Sequence, residues 1–269
     1  MKFQFDHDNH LHSRLALCST DPNQSPEQIL RYAENNHLRH ICLTDHFWDS
    51  PDIPGANRWY LQQDFAHISQ SMPLPQSPDV RFYFGCETEM SKDFQLAITR
   101  RRMEQVDFII VPTTHMHIKF IVDVDATVEE RRAIYLHRIR TLLDLDDLPF
   151  RKMGWAHPTT GLIAPNGAWQ EVIDGISDAQ YLSVLSLLHK RGMGFELNVG
   201  DFDFDRLTAG QVESQLRVFR LAKEAGCKFY LASDAHIAEE LSAAPARFQR
   251  LLGLFELDQE DQFHPFAEA

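Results

Sequence analysis

GFELNVGDFDFDRLTAGQVESQLRVFRLAKEAGCKFYLASDAH, residues 194–236, decides the fold class. GFELNVG and KFYLASDAH are short and nearly continuous in apolar character, as strands covered on both faces are. Between them, Leu207 to Ala225 reads as a helix stopped by Gly226. Strand, helix, strand in this order is the unit from which parallel sheets are built.

The same alternation extends outward in both directions. Phe3 and Phe5 lead into DNHLH, a first strand, and Ser25-Pro26-Glu27-Gln28 opens a helix to about Asn36, with Ser as N-cap and Pro at the first helical position. RHICLTDH is a second strand, NRWYLQQDFAHISQSM a helix over 57–72, and SMPLPQSPD a Pro-rich loop that ends it. RFYFGCETE, DFIIVPTTH and MGWAHPT follow as the third, fourth and fifth strands. Thr127 with Glu130 forms a capping box for a helix to about Leu143, and Ser177 to Lys190 is a helix ended by Gly192. One or two helices follow the seventh strand.

Seven strands alternating with helices predict an α/β fold of parallel βα units, preferably closed as a TIM-like barrel. No Pro/Gly/Ser linker divides the chain and no internal repeat is visible, so residues 1–269 are expected to form a single domain. An open doubly wound sheet is the alternative. The first strand is not followed by G-x-G-x-x-G, which argues against dinucleotide binding.

The 269 residues are 43% hydrophobic and 24% charged, which predicts a soluble globular protein. A net charge of −13 makes long nucleic acid a poor partner. A small phosphorylated substrate stays compatible with it where divalent cations offset the charge locally. Cys18, Cys42, Cys86 and Cys227 form no Cys-x-x-Cys pair. Neither an apolar leader nor a run of ~20 apolar residues is present, so a cytoplasmic location without membrane association is expected.

The 14 histidines are placed rather than scattered. His10 and His12 end the first strand, His46 the second, Glu87 the third, His115 the fourth, His157 the fifth, and Asp234 with His236 the seventh. In a parallel barrel these ends converge on one rim, where such barrels carry their active sites. His10 and His12 are two residues apart and share a face, as do Asp234 and His236. Imidazole with carboxylate suits Zn, Mn or Fe rather than Ca or Mg. The set exceeds what one tetrahedral ion takes, so two or three divalent transition metal ions are expected. His7, His37, His40, His67, His137, His189 and His264 fall elsewhere and read as surface residues; His117 shares a face with His115.

These residues resemble the PHP (polymerase and histidinol phosphatase) superfamily: DNHLH, LTDH, GCE, TTH, AHP and SDAH occur in the family's order between residues 8 and 236. The resemblance implies a distorted (β/α)7 barrel and a phosphoesterase in which a metal-bound water attacks a small phosphate monoester. Histidinol phosphate, a nucleotide or a sugar phosphate are the candidates. It implies that His10, His12, Glu87 and Asp234 hold one ion, that Glu87 bridges to a second held by His115 and His157, and that His46 and His236 bind a third. The pattern departs where family members place a further His or Asp after the second His. Leu17 and Cys18 stand there, leaving Cys18 as thiolate, or Asp21, for the third ion. A nuclease or phosphodiesterase on the same site, and a non-catalytic metal-binding protein, are the other readings.

Asp8 and Asp45 are placed to orient His10 and His46. Arg14 and Lys119 follow ligand strands and are candidates for contacting a substrate phosphate. Glu196 and Asn198 are expected to line the rim without ligating. Glu89 shares a face with Glu87 and is its rival, with Glu89→Gln expected to do little to metal content and activity by comparison with Glu87→Gln. Residues 47–80 and 116–150 are the long strand-to-helix segments expected to cover the site.

Overall fold

The computed structural model describes residues 1–123, 125–164, 167–202, 204 and 206–266. Among them the strands are β1 (His7–Leu11), β2 (His40–Leu43), β3 (His46–Phe47), β4 (Arg81–Phe84), β5 (Cys86–Thr88), β6 (Ile109–Val111), β7 (Met153–Trp155), β8 (Gly194–Asn198) and β9 (Lys228–Ala232). The helices are α1 (Pro26–Asn35), α2 (Phe65–Ile68), α3 (Arg100–Met103), α4 (Val128–Asp144), α5 (Trp169–Asp174), α6 (Asp178–Arg191), α7 (Ala209–Glu224) and α8 (Ala238–Leu254). Every pairing between these strands is parallel.

β2 and β3 are two halves of the expected second strand, and β4 and β5 of the third. Backbone bonds run on across the interruption: Gly85 N–H donates to Leu43 O (2.7 Å) and Glu87 N–H to Asp45 O (3.0 Å). The order is therefore β1, β2/β3, β4/β5, β6, β7, β8, β9, which is the expected seven staves. The last stave returns to the first. Leu11 bridges Ala235, Asp234 N–H donates to His10 O (2.8 Å), and His12 N–H donates to Ala235 O (3.0 Å). Side chains seal the seam, with Ser233 N–H on Asp8 Oδ1 (2.9 Å) and Leu231 N–H on His7 Nε2 (2.9 Å).

The barrel interior is apolar towards the strands' N-terminal ends. Cys42, Phe108, Ile110, Ala156, Tyr230, Ala232 and Phe263 form one buried cluster. The Phe108 ring lies 5.2 Å from that of Tyr230, although β6 and β9 are not neighbours, so the two meet across the interior. Phe263, whose N–H donates to Phe229 O (2.7 Å), closes the lower mouth. The helices bury their apolar faces on the outside of the staves in a second, larger cluster.

Gly154 leaves room for Tyr230: a Cβ there would sit 2.5 Å from the phenolic oxygen. Gly154→Ala is expected to displace that ring and destabilise the protein by about 1–3 kcal/mol. Thermal and denaturant unfolding measure it, and an unchanged midpoint would show that the ring gives way freely.

Helix boundaries follow local chemistry. Ser25 caps α1 with Pro26 at its start, and the Thr127–Glu130 capping box opens α4. The Ser177–Gln180 box opens α6, which ends at Gly192 with φ +74°. The expected helix over 57–72 is not continuous. It breaks into a 3-10 turn at Tyr60–Gln62, the short α2, and another 3-10 turn at Ser69–Ser71. Asp64 restarts the chain by accepting from His67 N–H, and Gln63 O accepts from Trp48 N–H, which takes it out of any helical ladder. Among the described residues, α8 and a 3-10 turn at Gln259–Asp261 follow β9. His7 is fully buried rather than on the surface, because it spans the seam. No helix among the described residues is long and apolar enough to cross a membrane.

Candidate metal centre

Glu87 sits at the centre of the histidines. Its Oε1 lies 3.0 Å from His157 Nε2 and 3.8 Å from His115 Nε2. Its Oε2 lies 2.7 Å from His46 Nδ1, 3.4 Å from His12 Nε2 and 3.7 Å from His10 Nε2. Asp234 Oδ1 approaches His10 Nε2 (3.1 Å) and His12 Nε2 (3.2 Å). Three groups have ligand atoms close enough to share an ion: His10, His12 and Asp234; Glu87, His115 and His157; His12, His46 and His236. The predicted histidines and carboxylates are thus brought together, with His12 within reach of two groups.

A second layer of residues aims the rings. His10 Nδ1 meets Glu196 Oε2 (3.0 Å), His115 Nδ1 meets Glu89 Oε2 (2.8 Å), His157 Nδ1 meets Thr114 Oγ1 (2.9 Å), and His236 Nδ1 meets Asp234 O (2.8 Å). In each ring the far nitrogen is engaged and Nε2 is left for the centre, the arrangement by which proteins orient metal-ligating imidazoles. Glu196 also accepts from Tyr230 O–H (2.7 Å), Asn198 Nδ2 (2.9 Å) and His157 N–H (2.9 Å). Glu89 also accepts from Tyr60 O–H (3.1 Å) and from buried Arg138 (3.3 Å). Glu196, Glu89, Tyr60, Thr114 and Arg138 were not assigned these roles from the sequence. Their one signal was parity: Glu89 and Glu196 lie two residues from Glu87 and Asn198, on inward faces.

Other sequence expectations need correction. Asp8 does not orient His10; it accepts from Ser233 N–H and from Tyr32 O–H (3.1 Å), so it ties β1 to β9 and to α1. Asp45 does not orient His46; both its oxygens accept from Ser13, through N–H and O–H at 2.7 Å each, and Oδ1 stands 3.9 Å from His12 Nδ1. Arg14 and Lys119 are exposed and do not line the cavity at the site. Asp21 turns away and caps α8 through Ala238 N–H. Cys18 does line the cavity, facing His46 and His236. Burial pushes its thiol up, but those two rings bring it down to about 7.

The donor set fits divalent transition ions. His12 Nδ1 and Glu87 Oε2 are buried without a hydrogen-bond partner, and the rings of His12 and His236 stack with centroids 4.1 Å apart. Clustered imidazoles and carboxylates are what such ions organise. His157 and Asp234 adopt positive φ, 28° and 53°, where a non-glycine residue carries about 1–3 kcal/mol of backbone strain. Both residues lie two positions beyond their strand ends, β7 and β9, and both reach the cluster.

Protons compete for the same atoms. Burial lowers the His10 pKa, but Asp234 and Glu196 outweigh it and hold the ring well above the imidazole range. Burial lowers His157 too, yet Glu87 raises it to about 9. Burial, then His236 and His46, press His12 well below 6.5. A raised folded-state pKa stabilises below the unfolded value of 6.5 and is lost as pH rises through the folded value, here about 9. Glu87 and Asp234 are depressed from 4.5 and 3.8, so their contribution is constant across that window. Chelator-treated protein is therefore expected to lose thermal stability between pH about 6.5 and about 9, while zinc-loaded protein gains it as protons cease to compete. Parallel slopes in the two melting series would contradict this.

A cavity of about 350 Å³ opens on the cluster, lined by Cys18, His46, Glu87, His115, His157, Asp234 and His236 together with Asn57, Trp59, Tyr60, His117, Ile118 and Leu162. The 47–80 and 116–150 segments thus both contribute walls; Val124 of the second lies outside the described residues.

No protein-family model matches the chain, and no curated protein matches it. Among solved structures, it is similar to histidinol phosphate phosphatase from Lactococcus lactis, solved with zinc, L-histidinol and phosphate. That match has 17% identity and a TM-score of 0.52 over 91% of this chain and 93% of the other. It is also similar to the putative histidinol phosphatase of Listeria monocytogenes, at 15% identity and a TM-score of 0.57 over 90% of this chain and 99% of the other. The chain has the fold of these phosphatases.

Proposed function

We propose that the protein is a metal-dependent phosphatase that hydrolyses a small phosphate monoester at a site of two or three divalent ions. The observation that carries this reading is the Glu87 carboxylate, with one oxygen facing His115 and His157 and the other facing His10, His12 and His46. A carboxylate has two oxygens to share between ions, which an imidazole has not. His10, His12 and Asp234 would hold one ion, Glu87, His115 and His157 a second, and His46 with His236, supported by His12 and Cys18, a third. Zinc in the Lactococcus phosphatase supports zinc among Zn, Mn and Fe, and its histidinol and phosphate support a small monoester.

Such ions, when bound, supply positive charge against a phosphoryl oxygen and make water a nucleophile at neutral pH. The chain's own contribution is placement. Glu196, Glu89 and Thr114 fix the ring planes of His10, His115 and His157 before any substrate arrives. Trp59, Ile118 and Leu162 form the apolar part of the cavity wall beside the cluster.

Phosphate release from a panel of monoesters, after loading with Zn or Mn and counting ions per chain, tests the proposal. Release lost in His115→Ala supports it. Absence of release from every monoester with two or more ions bound overturns it and leaves a metal-binding protein.

A further inference from the structure

Phosphate sites commonly use Arg or Lys. Neither residue occurs in the wall of this cavity, and none of the residues outside the described set is Arg or Lys. On the phosphatase reading above, the charge of the phosphoryl group is then met by the histidine and carboxylate cluster with its ions alone, and the rest of the wall is left to select the alcohol. That wall is Trp59, Ile118 and Leu162, with Asn57 and His117 as its polar groups. Leu162 is one of the few large apolar side chains left exposed, at 37%.

Trp59 is held in place. Its ring stands 5.2 Å from that of His46 and perpendicular, at 4.8 Å, to that of Tyr60, whose hydroxyl is anchored on Glu89. One ring-width thus separates the indole from a candidate ion ligand. A group that packs on Trp59 must be attached close to the ester oxygen. A sugar alcohol would bring several hydroxyls to a wall that offers partners in Asn57 and His117 and is otherwise apolar, and leaving them unpaired is costly. Further phosphates would meet no cationic side chain in the wall, on a chain of net charge −13. We propose that the substrate is a phosphate monoester of a small alcohol bearing an uncharged apolar ring, with that ring packed on Trp59 and Leu162.

Non-hydrolysable phosphonates test this independently of turnover. Zinc-loaded protein should bind benzylphosphonate about tenfold more tightly than ethylphosphonate in calorimetry, the scale expected for one packed ring. Trp59→Ala should abolish the difference while keeping ethylphosphonate affinity and ion content. Leu162→Ala, at an exposed position, should reduce it. Equal affinities for the two phosphonates, or a difference that survives in both variants, overturns the assignment. In turnover, Trp59→Ala should raise KM about tenfold more for benzyl phosphate than for glycerol phosphate. Discrimination between phosphonates without hydrolysis of any ester would defeat the phosphatase reading and uphold the ring site. Hydrolysis with no preference for a ring would do the reverse.

Discussion

Glu87→Gln should release at least one ion per chain and lower phosphate turnover by more than about 100-fold, while the fold survives. Losing a residue that merely orients a ligand typically costs about 10–100-fold in metal affinity or activity, so losing a shared carboxylate should cost more. The substitution keeps the shape that packs against His46 and His157 but removes the negative charge on which five imidazoles converge. Cations gathered there would repel one another with less compensation. Elemental analysis, phosphate release and circular dichroism read the three parts of the expectation. Full metal content with full activity would remove Glu87 from the centre.

Glu89→Ala is expected to be the most destabilising single change near the site, at about 3–5 kcal/mol, because it strips a buried cation of its partner. Arg138 is 1% exposed and donates to Glu89 Oε1, while its other bonds go to the backbone oxygens of Thr113, Ser91 and Met90. Without Glu89 that guanidinium has no counter-charge, and His115 Nδ1 and the Tyr60 hydroxyl lose their acceptor as well. Urea unfolding of the metal-free variant measures the first effect, and its zinc content the second. The Arg138→Met companion should recover part of the loss, since the pair is then gone together. An unchanged unfolding midpoint would show that water reaches Arg138.

The rim was readable because geometry repeats. A parallel barrel sends the C-terminal end of every strand to one side, so a histidine's place at a strand end already says which others it will meet. His10, His12, His46, His115, His157 and His236 were placed on that ground. Their supports were not readable in the same way. Glu196 meets His10 across 186 residues and Glu89 meets His115 across 26. Periodicity gives the face of such a residue but not its partner. Asp8 and Asp45 failed for the opposite reason. Nearness in sequence to a candidate ligand suggested contact, whereas Asp8 was needed to seal the seam and Asp45 to hold the turn at Ser13. The broken helix over 57–72 shows the same limit. Asp64 and Gln63 found backbone partners that propensity does not count.

Translation delivers His10 and His12 long before Asp234. Until β9 has left the ribosome, the edge of β1 has no stave to pair with on that side, and Asp8 lacks Ser233. The groups of His10, His12 and Asp234 and of His12, His46 and His236 are therefore incomplete until residues 234 and 236 have been added. The group of Glu87, His115 and His157 is complete in sequence by residue 157. The direction of synthesis thus completes the middle group first and the two groups that need the chain after β9 last.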